Sequence, residues 1–423
     1  MNMKKIISLI LVAVLAVCMS SLMLSCGENE DGTSGSTPKG SQTLYVYNWG
    51  EYISDGSEDS LDVNAAFEEY CRDELGLNVT VNYSTYASNE DLYAKLSSGA
   101  VAYDVIIPSD YMVARLAAEG LLAELDPEEN LPNYEYIDDE FKSLYYDPDN
   151  RWSVPYTYGT VGVIYNTEMV DEEDTGSWDL MWNDKYTGNI LQFNNPRDGF
   201  MTAQFLLGYS INSDDPETWK AALDKLKEQK AVVQGYVMDE IFNKMKGGSA
   251  AISSYYAGDF FTMYDDNDRL AFYYPEEGTN VFVDAMCIPS CVQNYDLAVE
   301  YINFMLSEEV AVANAEYICY ASPNRLVIEN EEYIECMEEI HPDAMDILYG
   351  FDAEKMEYYY DLPDDTRILM NSLWEELKIE STIGTAIYVI CGVIVAAGLA
   401  LIVRSVVIKQ KRKYYFNKYR KEN

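Results

Sequence analysis

Trp49, Glu51 and Tyr52 stand within four residues of one another in the stretch LYVYNWGEYI, on either side of Gly50. Aromatic faces and a carboxylate are the groups that hold an organic cation. Taken alone, the decapeptide also fits an amphipathic strand end with its tryptophan in the core. Covalent chemistry finds little support. His341, in EIHPDA, is the only histidine, so a Ser–His or Cys–His dyad has one candidate base, in a solvent-like setting. No G-x-S-x-G, P-loop or G-x-G-x-x-G motif occurs. Cys287 and Cys291 form a C-x-x-x-C that could be a disulfide or half of a metal site. No second cluster accompanies it, so no metal and no cofactor is expected. Paired carboxylates of the glycosidase kind stay open, because acids are abundant and no spacing singles out a pair.

The chain has 423 residues, more than one ordinary domain needs, and both ends are special. Residues 1–26 place Lys4 and Lys5 before a long apolar run, the pattern of a secretory signal. The signal ends in MLSCG, which resembles a bacterial lipobox with Met23 where leucine is usual, and so marks Cys26 for lipidation. Residues 27–41 are polar and rich in Gly and Ser, a flexible tether. Ile383 to Val403 carries no charge and has the length of a membrane-spanning helix. Eight Lys and Arg follow it against Glu422 alone. The positive-inside rule then puts the tail 404–423 in the cytoplasm and the body outside, on the periplasmic or extracellular face. Between the two ends 71 acids face 19 cations, a net charge of about −52. Such a surface repels nucleic acid and anionic headgroups and attracts cations. Cys71, Cys287, Cys291, Cys319 and Cys336 fall in the body, an odd number, and read as small buried thiols with at most one pair.

The elements that must position the acids and aromatics alternate along the chain. LYVYNW is a strand by its period of two, Leu61 to Leu75 is helical by spacing, and NVTVNYSTY is a strand. A capped helix follows over Asn89–Ser98, then the short buried strand YDVIIPS and a helix from Tyr111 to Gly120. SVPYTYGTVGVIYN is a long β run. A second series comprises GNILQF, a helix from Gly199, the helix Pro216 to Gln229, KAVVQGY and AAISSYY. LAFYYPEEGTNVFVDAMCIPS reads as another β run, and helices close the body over Ala298–Leu306 and Asp364–Lys378. Strand–helix–strand units at this spacing predict an α/β class with parallel sheet, arranged as two lobes with a crevice between them.

NWGEYI, STYASNEDLYAKL, YDVIIPSDYMV, SVPYTYGTVGVIYN, SWDLMW, YPEEGTNVFVDAMCIP and ICYASPN occur in that order. Together, over about residues 43 to 380, they resemble the periplasmic polyamine-binding proteins, the spermidine/putrescine receptors of ABC importers. The resemblance implies a two-lobe periplasmic-binding-protein-like fold (type II) with the ligand in the interlobe crevice. Lobe 1 would be 42–160 plus 283–328, and lobe 2 would be 161–282 plus 329–380. It implies a monomer that binds a polyamine and delivers it to permease subunits, not an enzyme. It also implies a site. Trp49, Glu51 and Tyr52 match the family's first cluster, and Ser109 and Tyr111 its hydroxyl contacts. Asp284 matches a carboxylate facing an amine, and Phe282 stands for a family tryptophan. Tyr256, or Tyr255 by one residue of register, replaces another wall tryptophan, and Tyr320 matches a further wall aromatic. Asp198 matches a family glutamate, while Asn195 stands where the family has a second acid. A late family glutamine falls near Asp364 or Asp365. A solute-binding protein of this fold for a sugar, amino acid or ferric ion, and a surface enzyme or adhesin, are the other readings.

Overall fold

The computed structural model describes residues 41–379 and residue 408. Cys26, the signal, the tether up to residue 40, the hydrophobic segment 383–403 and nearly all of the basic tail lie outside the described residues. Among the described residues no helix is long and apolar enough to cross a membrane.

Strands β1 (Gln42–Trp49), β2 (Val79–Tyr86) and β3 (Val105–Ile106) run parallel, with β1 in the middle. Parallel pairing needs a crossover. The helices Val63–Asp73 and Asn89–Ser97 supply it, and each starts at a side chain that accepts a backbone N–H, Asp62 and Ser88. β4 (Ser153–Asn166) begins the central part. β5 (Ile190–Phe193), β6 (Val233–Val237) and β7 (Ile252–Tyr256) form a second parallel set, with β5 between the other two. β8 (Leu270–Tyr273), β9 (Thr279–Cys287) and β10 (Met356–Tyr358) complete a ten-stranded sheet ordered β2-β1-β3-β9-β4-β7-β5-β6, with β10 beside β9 and β8 beside β4.

The parallel expectation holds within β1–β3 and within β5–β7, but the centre is antiparallel. β4 pairs with β9 as far as Thr160, and with β7 and β8 from Val161 onward. β9 joins the first set through β3 and β4 joins the second through β7, so this antiparallel pair links the two parallel sets, and β4 is buried along nearly its whole length. The run LAFYYPEEGTNVFVDAMCIPS is two strands, parted by a PEEG turn in which Gly278 has φ 104. The helix expected from Gly199 starts at Pro196, since proline suits a first helical position and Asn195 caps it. The helix expected from Ala298 starts at Tyr295. Helices Ala257–Asp266, Glu308–Ile318 and Glu331–Ile340 add to the elements that the residue spacing predicts. All five described cysteines are free thiols.

The helix Pro196–Leu206 is held from behind. Phe200, Trp219 and Trp374 share one buried cluster, and a side chain at Gly199 would meet the Trp374 ring 2.5 Å away. The final helix, residues 364–379, can thus press its tryptophan against that glycine, the chain neighbour of Asp198.

Candidate functional site

A cavity of about 790 Å³, its open mouth included, is lined by all eleven candidates: Trp49, Glu51, Tyr52, Ser109, Tyr111, Asn195, Asp198, Tyr256, Phe282, Asp284 and Tyr320.

The first wall is the end of β1. Buried Asn48 pins the turn: its Oδ1 accepts the Trp49 N–H at 2.8 Å and its Nδ2 donates to the Tyr52 carbonyl. Glu51, not Gly50, takes the left-handed conformation, with φ 49. Gly50 is needed for space, because a Cβ there would lie 2.5 Å from Asp239 Oδ2. The glycine lets a carboxylate from the other set of strands come down on the turn.

Asp284 sits in β9 opposite an irregularity in β4. Pro155 pairs with Ala285 and Thr157 with Asp284, so Tyr156 is an extra residue, a bulge that re-aims its neighbours. Tyr52 reaches across the crevice floor, where its hydroxyl donates to Asp284 Oδ2 at 2.7 Å and also meets Thr157 Oγ1. Tyr156 locks this by donating to the Tyr52 carbonyl. Ser109 precedes the helix Asp110–Ala118 but makes no side-chain cap bond. Its hydroxyl accepts from Asn89 Nδ2 at 3.1 Å instead. Burial raises the Asp284 carboxyl to about 6; the Ser109 and Tyr52 hydroxyls oppose this. Asp284 Oδ1 has no partner, which in a residue only 4% exposed costs free energy unless a donor arrives.

The second acid opens the helix Pro196–Leu206. Asp198 Oδ2 accepts from Tyr256 at 2.6 Å and from Asn195 Nδ2 at 2.7 Å, and Oδ1 accepts from Tyr359 at 3.0 Å. Asn195 Oδ1 accepts the Asp198 N–H, so Asn195 is the helix cap and orients the acid. Burial raises the Asp198 carboxyl, while its three side-chain donors and Arg197 favour the charged form.

The remaining walls are rings. Tyr320 meets Tyr52 edge to face at 4.9 Å, and Phe282 meets Tyr256 at 5.4 Å. Tyr255 also borders the cavity but stacks on Phe193, so Tyr256 is the one that bonds Asp198. Tyr111 donates to Glu90 at 3.3 Å. Trp49 leans on Tyr86 at 4.6 Å, and Tyr86 gives its hydroxyl to the Ile107 carbonyl. Neither Asp364 nor Asp365 borders the cavity; Tyr359 does, from the segment after β10. Glu90, Arg197, Asp239 and Asp259 also line it and had not been singled out as site residues. Glu90 and Asp259 lie in first helical turns, where acids are common for helix-dipole reasons. In sequence nothing separates them from solvated charges. The arrangement can hold a long, apolar-bodied cation: carboxylates at separate points, rings between.

The family model for bacterial extracellular solute-binding proteins matches residues 64–337. The spermidine/putrescine-binding periplasmic protein of Salmonella typhimurium is 32% identical over 332 residues, covering 78% of this chain and 91% of its own. A solved Listeria monocytogenes structure, provisionally named a spermidine/putrescine ABC transporter, aligns with TM-score 0.72 at 33% identity, covering 80% of this chain and 99% of its own. The spermidine/putrescine ABC transporter substrate-binding protein PotD of Streptococcus pneumoniae gives TM-score 0.62 at 34% identity, with the same coverage. The fold is the two-lobe fold of periplasmic binding proteins. The chain belongs to the bacterial extracellular solute-binding protein family.

Proposed function

We propose that the protein captures a linear polyamine, putrescine or spermidine, outside the cytoplasm and delivers it to the permease of an ABC importer. One observation carries the reading: a buried carboxylate, Asp284, keeps an unpartnered oxygen in a cavity walled by aromatic rings. An ammonium supplies the missing donor, and the rings take the methylenes and share the charge, each such contact contributing about 0.5–2 kcal/mol. The names of the similar proteins agree with it. In this reading the eleven residues form the ligand shell, and the protein acts as a monomer that binds and does not convert its ligand. The lobes would be 42–160 plus 283–328 and 161–282 plus 329–380, closing on each other. Lipid at Cys26 and the apolar segment 383–403 would hold the body at the outer face of the membrane.

Calorimetry tests it, after unfolding and refolding the protein to strip bound ligand. One-to-one, metal-independent heat is expected with putrescine or spermidine, and none with a sugar. No heat with putrescine, spermidine or spermine overturns the proposal.

A further inference from the structure

Arg197 is a cation inside the cavity. It is 4% exposed. Its Nη2 donates to Asn212 Oδ1 at 3.1 Å and to the Tyr360 carbonyl at 3.3 Å, while Nε and Nη1 have no partner. The guanidinium carbon lies 4.2 Å from the ring centre of Tyr359 and 5.2 Å from that of Tyr111. Its charge also favours the ionised forms of Glu90 and Asp198. Aromatic faces beside carboxylates are what an incoming ammonium seeks. At this pole the protein has already placed a positive group among them.

We infer that Arg197 sets the selectivity among polyamines: as a fixed cation at the pole formed by Glu90, Asp198, Tyr111 and Tyr359, it disfavours a third ligand charge. The inference rests on the polyamine reading of the cavity. Every ligand ammonium is repelled by Arg197, and a triamine carries one more than a diamine. The guanidinium also offsets the acids that the extra ammonium would need. Asn195 sharpens the effect, since an amide there adds no compensating charge. Two unit charges about 10 Å apart at an effective dielectric near 20 interact strongly enough to change an affinity by about tenfold.

The test is competition binding of spermidine and putrescine to the full chain and its variants. Arg197→Gln should raise the spermidine-to-putrescine affinity ratio by about tenfold. Arg197→Lys, which keeps the charge, should keep the ratio near that of wild type. Glu90→Gln should move the ratio the other way, and this opposite sign separates charge selection from general loosening of the cavity. If Arg197→Gln binds both ligands with an unchanged ratio, the inference falls and the polyamine reading stands. If wild type binds neither, that reading itself falls. Should Arg197→Gln not fold, Glu90→Gln decides: a lowered ratio supports the inference, and an unchanged or raised one overturns it.

Discussion

Asp284 joins function to acidity. Burial lifts its carboxyl to about 6, with Asp198 adding to the rise. Behind it Asp110, also buried, is lifted to about 8, first by burial and then in part by Asp284. An unfolded aspartate titrates near 3.9. The empty native protein therefore holds the Asp284 proton more tightly than the unfolded chain does. Its stabilising contribution is complete below about pH 4 and is lost as pH rises through 6, a change of about 3 kcal/mol. A bound ammonium reverses the sign, because it favours the carboxylate. Putrescine should raise the melting temperature more at pH 7.5 than at pH 4.5, and affinity should weaken by up to about tenfold per pH unit below 6. Binding near pH 5.5, where the carboxyl is still mostly protonated, should release protons, seen as heats that change with the ionisation enthalpy of the buffer. Asp284→Asn should lose about 1.5–3 kcal/mol of binding and the pH step with it. A variant with the wild-type pH profile would show that another group carries the proton.

At the scale of elements, the site depends on local irregularities that bring separate strands and helices to one point. The bulge at Tyr156 turns β4 so that Thr157 faces Asp284 and Tyr52. Cys319, with φ 58, ends the helix Glu308–Ile318 and turns the chain into Tyr320. Gly258 completes that wall: a Cβ there would lie 2.3, 2.5 and 2.6 Å from three atoms of the Tyr320 ring. A ring cannot bend away as a flexible chain end can. Gly258→Ala should therefore displace Tyr320 from Tyr52 and Phe282, weaken polyamine binding, and cost about 1–3 kcal/mol of stability. Wild-type affinity in Gly258→Ala would remove Tyr320 from the ligand shell. These elements also explain what could be read in advance. NWGEYI was legible because its three side chains fall within four residues of one another. Asp284 was legible because an acid within a β run is costly without a partner. The paired strand–helix units gave the two parallel sets. The antiparallel centre was not legible, because pairing between β4 and β9 joins residues more than a hundred apart. Glu90, Asp239, Asp259 and Tyr359 escaped for a related reason: each reaches the cavity from a different element, and only long-range packing makes its charge or ring exceptional.

At the scale of the molecule the acids do not stop at the cavity. An open crevice shares Glu51, Asp239, Phe242 and Asp259 with it and adds Asp59, Asp265, Asp266 and Glu316, against Lys246 alone. Lys246 is already paired with Asp266 at 2.6 Å. With a body near −52, few cations are left to offset this row. Clefts lined by one sign of charge focus the field and speed the arrival of opposite charges. The described ion pairs are mostly exposed, where salt weakens them and the field alike. Arrival and departure should then respond differently to salt. The association rate of putrescine should fall by about tenfold or more between about 20 mM and 0.5 M salt, and that of spermidine should fall further because its charge is higher. The dissociation rate should change less, because Asp284 and Asp198, which hold the ammoniums in the proposed reading, are buried where screening is poor. Neutralising the outer row with Asp265→Asn and Glu316→Gln should slow association and flatten its salt dependence while leaving dissociation nearly as it was. Stopped-flow fluorescence, with the ring of Trp49 as the reporter, measures both rates. If the double variant instead speeds dissociation and keeps the wild-type salt slope of association, those acids touch the ligand and do not steer it.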